Sequence, residues 1–184
     1  MKNMGRPKGF NRETVLEKAL VVFWKKGFAD TTLQDLEKKT GVNKSGLYSE
    51  FSGKDDLFVE SLKHYISSSD SIERLSKTPL GWGNIESYLL SALEPKPELG
   101  CFVVSSMREL YILPKKSMHA VAGHVERLRE LIKNNLEAEG CHDKADSLLQ
   151  LIMTFNAGIC LQVNLSTEGI EKQIHDFLQI LKMH

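Results

Sequence analysis

Between Thr31 and Phe51 the chain reads TTLQDLEKKTGVNKSGLYSEF. Lys44, Ser45 and Tyr48 cluster there around Gly46, giving an ammonium, a hydroxyl, a phenol and a gap in side-chain bulk. At the start of a short helix such groups suit nucleic acid. Lys can meet a guanine edge or a phosphate, and hydroxyls donate to phosphate oxygens. Other chemically capable residues are scattered. The three cysteines, Cys101, Cys141 and Cys160, are odd in number and far apart. They imply no disulfide framework, and a reducing cytoplasm is expected. There is no GxSxG, no phosphate loop, no HExxH and no clustered CxxC. A di-iron bundle needs paired Glu-x-x-His motifs. Only Glu139 and His142 have that spacing, with Gly140 between them at an expected helix end. His119 and His124 are five apart and do not share a helix face well. Catalysis, a metal site and a cofactor are not expected.

The elements around Lys44 position it. Leu33 and Leu36 stand at helical spacing among Gln34, Asp35 and Glu37. Gly41 stops that helix, Val42 packs in the turn and Asn43 caps the next one. Leu47 and Phe51 anchor this second helix, Lys44 to about Phe51, leaving its polar start facing out. This is the helix-turn-helix pattern, whose second helix enters a DNA major groove. Upstream lie a basic arm of Arg6, Lys8 and Arg12 and an amphipathic helix with Val15, Leu16, Ala19, Leu20 and Phe23 on one stripe. Gly27 ends that helix after Lys25 and Lys26, where positive charge suits the helix dipole. Downstream, Ser52 and Asp55 have the spacing of a capping box before a helix that opens at Lys54.

Net charge is zero, but its distribution is not even. Residues 1–54 carry 11 Lys and Arg against 6 Asp and Glu, and the remaining 130 carry 13 against 18. A basic head on an acidic body turns the head toward DNA. The 184 residues allow one or two domains and a sizeable core. No apolar run approaches the roughly 20 residues that span a bilayer, and no signal peptide is evident.

Beyond Tyr65 no strand pattern occurs, and the apolar residues recur at helical period. The helix from Lys54 is expected to reach about Asp70. Others are expected over Asn84 to Leu93, Cys101 to Leu113, Ser117 to Ala138, Asp143 (as cap) to Leu165, and Ile170 to Leu181. The expected fold is all-α, with about nine helices. The helix ending near Leu165 is apolar over much of its circumference, so it must be covered on two sides.

The run from Gly5 to Tyr65 resembles the N-terminal DNA-binding domain of the TetR/AcrR transcriptional regulators. The matching pieces are GRP, FWKKGF, TTLxDL, GVNKSGLYxxF and KDDLF, in the expected order and spacing. They cover about a third of the chain. The Gly100-Cys101-Phe102 segment also looks like a recurrent feature of one TetR subgroup. One departure is Glu50, where many members carry His or another polar residue. An acid there repels phosphate unless it pairs with a base or a neighbouring Lys.

The resemblance implies a helix-turn-helix domain over residues 1–53 and a helical ligand-binding and dimerisation domain over 54–184. It implies DNA contacts from Thr32, Asn43, Lys44, Ser45, Gly46, Tyr48 and Lys54, with Arg6 and Lys8 reaching along the backbone or into the minor groove. It implies a homodimer built on the last two long helices, for which Leu151, Phe155, Ile159, Ile174, Phe177, Leu178 and Leu181 are the candidate contacts. Such a dimer reads a two-fold symmetric double-stranded DNA operator. The expected function is a ligand-responsive regulator, most commonly a repressor, released by a small apolar or electrophilic effector. Candidate effector contacts are Trp82, Tyr88, Phe102, Met107 and Tyr111, with Met118, Met153 and Asn156. Cys101, near an expected helix start that favours thiolate, is the candidate sensor of electrophiles or oxidants. A competing reading is a helical ligand-binding or scaffolding protein without sequence-specific DNA binding.

Overall fold

The computed structural model describes residues 10–94 and 100–183, and among these there are helices and turns but no strand. Local sequence sets the first three helices. Asn11 caps α1 (Arg12–Lys26), accepting from the amides of Glu13 and Thr14, and Gly27 ends it. A reciprocal capping box opens α2 (Leu33–Thr40). The Thr32 hydroxyl accepts from the Asp35 amide while the Asp35 carboxylate accepts from the Thr32 amide. Gly41 closes α2 at φ 76°, a left-handed conformation that a Cβ disfavours. Asn43 then caps α3 (Lys44–Glu50) by accepting from the Gly46 amide at 2.9 Å.

The next start differs from expectation. Gly53, not Ser52, is the N-cap of α4 (Lys54–Ser68), and the Ser52 amide donates to the Asp56 carboxylate. The chain then breaks before a short α5 (Ser71–Ser76), a helix beyond those expected. Arg74 holds α5 in place by donating to Asp70 and to Glu94.

Next comes α6 (Trp82–Leu90), continued by a single 3-10 turn. The expected helix from Cys101 to Leu113 is much shorter. α7 (Phe102–Ser106) gives way to a 3-10 turn over Met107–Glu109. Pro114 precedes the long α8 (Lys115–Ala138) as its N-cap. Lys144, rather than Asp143, stands at the N-cap of α9 (Ala145–Gln162), after a 3-10 turn at His142–Lys144. α10 (Ile170–Lys182) ends the described chain. No helix among the described residues is long and apolar enough to cross a membrane.

Two apolar cores result. The first joins α1 to α4 through Leu16, Phe23, Leu36, Leu47, Phe58 and Leu62, and extends to Phe102, Leu113 and Val121. Phe102 is one of its links to the body. Its ring centroid lies 5.6 Å from Trp24, 5.8 Å from Phe58 and 5.8 Å from Tyr65. The second core holds Leu75, Ile85, Leu89, Ile132, Ile152 and Ile174 from α5, α6, α8, α9 and α10.

One polar network crosses this second core. Asn135 is fully buried, yet its Nδ2 donates to the Leu75 and Leu131 carbonyls at 2.7 and 2.8 Å. Its Oδ1 accepts from the Gly81 amide at 2.8 Å and the Asn84 amide group at 2.9 Å. A fully satisfied network of this kind fixes how α5, α6 and α8 meet.

Candidate nucleic-acid interface and adjoining cavity

α3 presents Lys44, Ser45, Tyr48 and Ser49 to solvent, while Leu47 turns inward onto the first core. Tyr48 is 46% exposed, a large value for an aromatic residue. The Lys44 ammonium lies 5.6 Å from the centre of the Tyr48 ring, so one flank of the helix carries a cation and a phenol together. The Lys44 amide donates to the Glu37 carboxylate, which ties the start of α3 to α2.

Several expected contact residues do structural work as well, or instead. Thr32 is exposed, but its hydroxyl donates to Asp35 at 2.7 Å and accepts from the Asp35 amide. The hydrogen bond from the Lys26 ammonium, at 2.6 Å, and that from Thr32 hold the Asp35 carboxyl far below the usual carboxylate range. The Asn43 side-chain oxygen is committed to the α3 cap. Gly46 is small for the protein's own sake. A Cβ there would lie 2.7 Å from Val42 Cγ1 and 3.4 Å from the Phe10 ring, so glycine lets α3 pack on the turn before it.

Lys54 departs furthest from the phosphate contact expected of it. Its ammonium donates to the carbonyls of Phe28 at 2.9 Å and Thr31 at 3.1 Å, and reaches Ala29 at 3.5 Å. It also lies 4.5 Å from the centre of the Phe28 ring. Its donors face the α1–α2 turn, so they are taken. Arg6 and Lys8 lie outside the described residues.

Beneath the head, a cavity of about 220 Å³ opens between α4, α6, α7, α8 and α9. Its apolar wall comes from Val103, Val125, Leu128, Met153 and Ala157. Its polar groups are Tyr65, Tyr88, Cys101, His124, Asn156 and Cys160, with serines 69, 71 and 91. Of the expected effector contacts, Tyr88, Cys101, Met107, Met153 and Asn156 line it. The other four do not. Phe102 is buried in the aromatic cluster, Tyr111 is wholly exposed, and Trp82 lines a separate cleft beside Glu139 and Lys182. Met118 sits half-buried near the start of α8, away from this wall. Tyr65 and His124 were missed, because neither stands out by spacing alone.

Within the cavity, Asn156 donates to the Tyr88 hydroxyl at 3.0 Å. Burial raises the pKa of both Tyr65 and Tyr88, so both keep their protons. His124 Nδ1 is buried with no hydrogen-bond partner among the described residues, and burial holds the ring below its ordinary pKa. Cys101 stands at the N-cap of α7. A hydrogen bond from the Cys160 thiol does most to hold the Cys101 thiol well below the usual range, against the effect of burial. The amides of Val104 and Val103 and the Tyr65 hydroxyl add to this. A thiolate is the nucleophilic form of cysteine.

The far side of the body is apolar. Leu151, Leu161 and Leu165 on or just past α9, and Ile180 and Met183 on or just past α10, are exposed. Phe155 and Phe177, both half-buried, stack with ring centroids 3.9 Å apart and join the two helices. Four of the expected dimer contacts are placed elsewhere. Ile159, Ile174, Leu178 and Leu181 are buried in the protein's own second core, where an intermolecular contact cannot reach them.

The family model described as bacterial regulatory proteins, tetR family, matches residues 15–60, the stretch that forms α1 to α3 and the start of α4. This stretch of the chain is thus similar to the tetR-family regulators. The HTH-type transcriptional repressor ComR of Escherichia coli K12 is 45% identical over 65 residues, 35% of this chain and 31% of ComR. YezE of Bacillus subtilis 168, described as an HTH-type transcriptional regulator, is 30% identical over 116 residues, 58% of each chain. The matched part thus spans between about a third and just over half of these two relatives. Among solved structures, a cysteine mutant of the TetR family regulator CifR, complexed with 26-base-pair operator DNA, superposes with a TM-score of 0.80 at 22% identity. That match covers 95% of this chain and 98% of CifR. Reduced NemR of E. coli gives 0.75 at 20% identity over 91% of this chain and 94% of NemR. At such identities the likeness establishes the all-α fold along nearly the whole chain.

Proposed function

We propose that this chain is a ligand-responsive transcriptional regulator of the TetR family, a repressor that binds a two-fold symmetric operator as a homodimer. The observation that carries the reading is the outward face of α3, where Lys44, Ser45, Tyr48 and Ser49 stand free of the core on a short helix fixed by caps at both ends of the turn. Residues 1–53 form the DNA-binding head in this reading and 54–184 the sensing and dimerising body. Lys44 reads a base edge or a phosphate, and Tyr48 fixes register on the backbone. CifR was solved on operator DNA, which supports the same role for this fold here.

The exposed apolar face of α9 and α10 is the dimer surface, centred on the Phe155–Phe177 stack with Leu151, Leu161 and Ile180 around it. A second copy covers it and sets the spacing of the two heads. The cavity beneath the head takes a small, largely apolar effector, and Cys101 gives it a nucleophile for an electrophilic one. An effector that favours a head spacing unfit for DNA, by a few kcal/mol, is enough to release the operator. The protein acts in the cytoplasm, where its substrate DNA lies.

Selection of bound fragments from the source organism's genomic DNA by purified protein, near physiological salt, tests this directly. Recovery of one or a few two-fold symmetric sites is expected. Enrichment of no site by reduced, ligand-free dimer would leave a helical ligand-binding protein instead.

A further inference from the structure

The α1–α2 turn, residues 27–31, is gripped from two directions. Lys54 holds its carbonyls, as described above. Its amides are held from the body. Both carboxylate oxygens of Glu109 are used, one accepting from the Phe28 amide at 2.6 Å and the other from the Ala29 amide at 2.9 Å. The fit leaves no room. A Cβ on Gly27, which has φ 83°, would meet the Glu109 carboxylate at 2.7 Å. Beside this contact lies an open cleft of about 570 Å³, lined by Lys25, Asp30, Ser105 and Arg108 and floored by Phe28, Phe58 and Phe102. Glu109 thus ties the turn's amides to the end of the α7 segment, beside the aromatic packing of Phe102 on Trp24 and Phe58.

Glu109 ends the short segment that Cys101 begins. Cys101 is the N-cap of α7, and Glu109 is the last residue of the 3-10 turn that continues it. Between them Phe102 is wedged against Trp24 and Phe58. On the other side, Gly100 lies so close to α9 that a Cβ would sit 2.3 Å from the Cys160 carbonyl oxygen. Gly100 is pinned on α9, so a group on Cys101 that overfills the cavity can displace this segment only on its α7 side. A shift of α7 is felt at Glu109, and through its two amide contacts at the turn that leads into α2.

We infer that Glu109 is the positioning residue through which occupation of the cavity reaches the DNA-binding helices. The inference rests on the proposed reading of the head and the cavity. With the cavity empty, Glu109 holds the α1–α2 turn in its DNA-competent place. With the cavity filled, the carboxylate leaves the Phe28 and Ala29 amides and the head is released.

The test uses the full chain in a Cys141→Ser background, with N-ethylmaleimide as the probe. The Cys101 thiolate adds across the maleimide double bond, and the adjacent carbon takes a proton from water. Peptide mapping verifies the adduct. Operator dissociation constants are measured with and without the probe for wild type, Glu109→Ala and Glu109→Gln, alongside amide exchange at Phe28 and Ala29. In wild type the probe is expected to weaken binding about tenfold or more, within the usual range of allosteric coupling, and to speed exchange at both amides. Glu109→Ala should show fast exchange and weakened binding before modification, and change less than about threefold on modification, because the coupling has already been lost. Glu109→Gln, which keeps an acceptor oxygen, should restore part of both. Equal responses of wild type and Glu109→Ala to the probe would overturn the inference while leaving the DNA-binding reading intact. If the probe leaves wild-type binding unchanged, or fails to reach Cys101, the effector reading fails and the coupling with it; wild-type affinity and exchange in Glu109→Ala would then also deny Glu109 its positioning role.

Discussion

Lys54→Met separates two physical roles that look alike in sequence. A lysine at the first turn after a helix-turn-helix suggests a phosphate contact. The structure turns its ammonium inward, onto the Phe28 and Thr31 carbonyls at 2.9 and 3.1 Å. Hydrogen bonds from a charged donor contribute about 1.5–3 kcal/mol each when well protected. Here Lys54 is half-exposed and water can replace it at part of the carbonyl surface, so the pair together contributes about 2 kcal/mol. The Phe28 ring, 4.5 Å away, adds roughly 0.5 kcal/mol. Removing a cation from the N-terminus of α4 gives back about 0.3 kcal/mol through the helix dipole. The net loss is about 2 kcal/mol, which for a chain of this size lowers Tm by about 4–8 °C. Melting of wild type and variant at one fixed dimer concentration measures this.

The operator assay supplies the contrast. If Lys54 touched a phosphate in each half-site, its loss would flatten the slope of log affinity against log salt by about 1.8. The structure predicts an unchanged slope, with any loss of affinity appearing equally at all salt concentrations. An unchanged Tm together with a flattened slope would refute the assignment of Lys54 to the turn.

Tyr48→Ala leaves the core untouched and should weaken operator binding about tenfold, a loss of about 1.4 kcal/mol, without lowering Tm; equal affinity would remove Tyr48 from the DNA-facing set. Gly46→Ala, although alanine is the better helix former, should destabilise the protein by about 1–2 kcal/mol, because its Cβ would press on Val42 at 2.7 Å; a rise in Tm would show that the turn yields freely. Asn135→Ala strands the Gly81 amide and the Leu75 carbonyl, while the Asn84 amide group keeps the Lys77 carbonyl, and should cost about 3 kcal/mol by denaturant unfolding; a loss under about 1 kcal/mol would mean that water repairs the network. The Cys101 thiol has a lowered pKa, so its charged form, and hence its alkylation, should persist at pH values where an ordinary thiol is protonated and unreactive. Rates of iodoacetamide reaction against pH, compared with free cysteine, check this; matching profiles would rule out an activated thiol.

The helix-turn-helix was legible because it is written in short-range relations. Thr32 with Asp35, Gly41 closing α2 and Asn43 capping α3 are contacts over a few residues, and each side chain has few alternatives. The same logic failed at Ser52, where the carboxylate that takes the Ser52 amide is that of Asp56 and the cap position falls to Gly53. It failed again after Ser106. The apolar spacing of residues 101–113 allows one helix, but Glu109 is drawn to amides 80 and 81 residues away in sequence, and the segment ends as a 3-10 turn. No local pattern carries that information. Asn135 was more accessible: it lies three residues after Ile132 on the apolar stripe of α8, a place where an amide must find buried partners.

The proposed dimer surface shows a different limit. Periodicity gives α9 apolar residues around much of its circumference, and so calls for cover on two sides. It does not say which side belongs to the chain's own core. Ile159 and Leu161 are both aliphatic and two residues apart, yet one is 2% exposed and the other 47%. The difference is set by which side of α9 packs on α8 and α7, and α10 divides likewise, with Ile174, Leu178 and Leu181 inward and Ile180 out. The same holds for the cavity. Met107 and Met118 are chemically identical, and only the meeting of five helices puts one at the wall and leaves the other aside. Residue type therefore locates the head, where local geometry suffices, but in the body it names only the candidates. The choice among them is made by long-range packing such as that of α7, which buries Phe102 in the first core and puts Cys101 at the cavity and Glu109 at the α1–α2 turn.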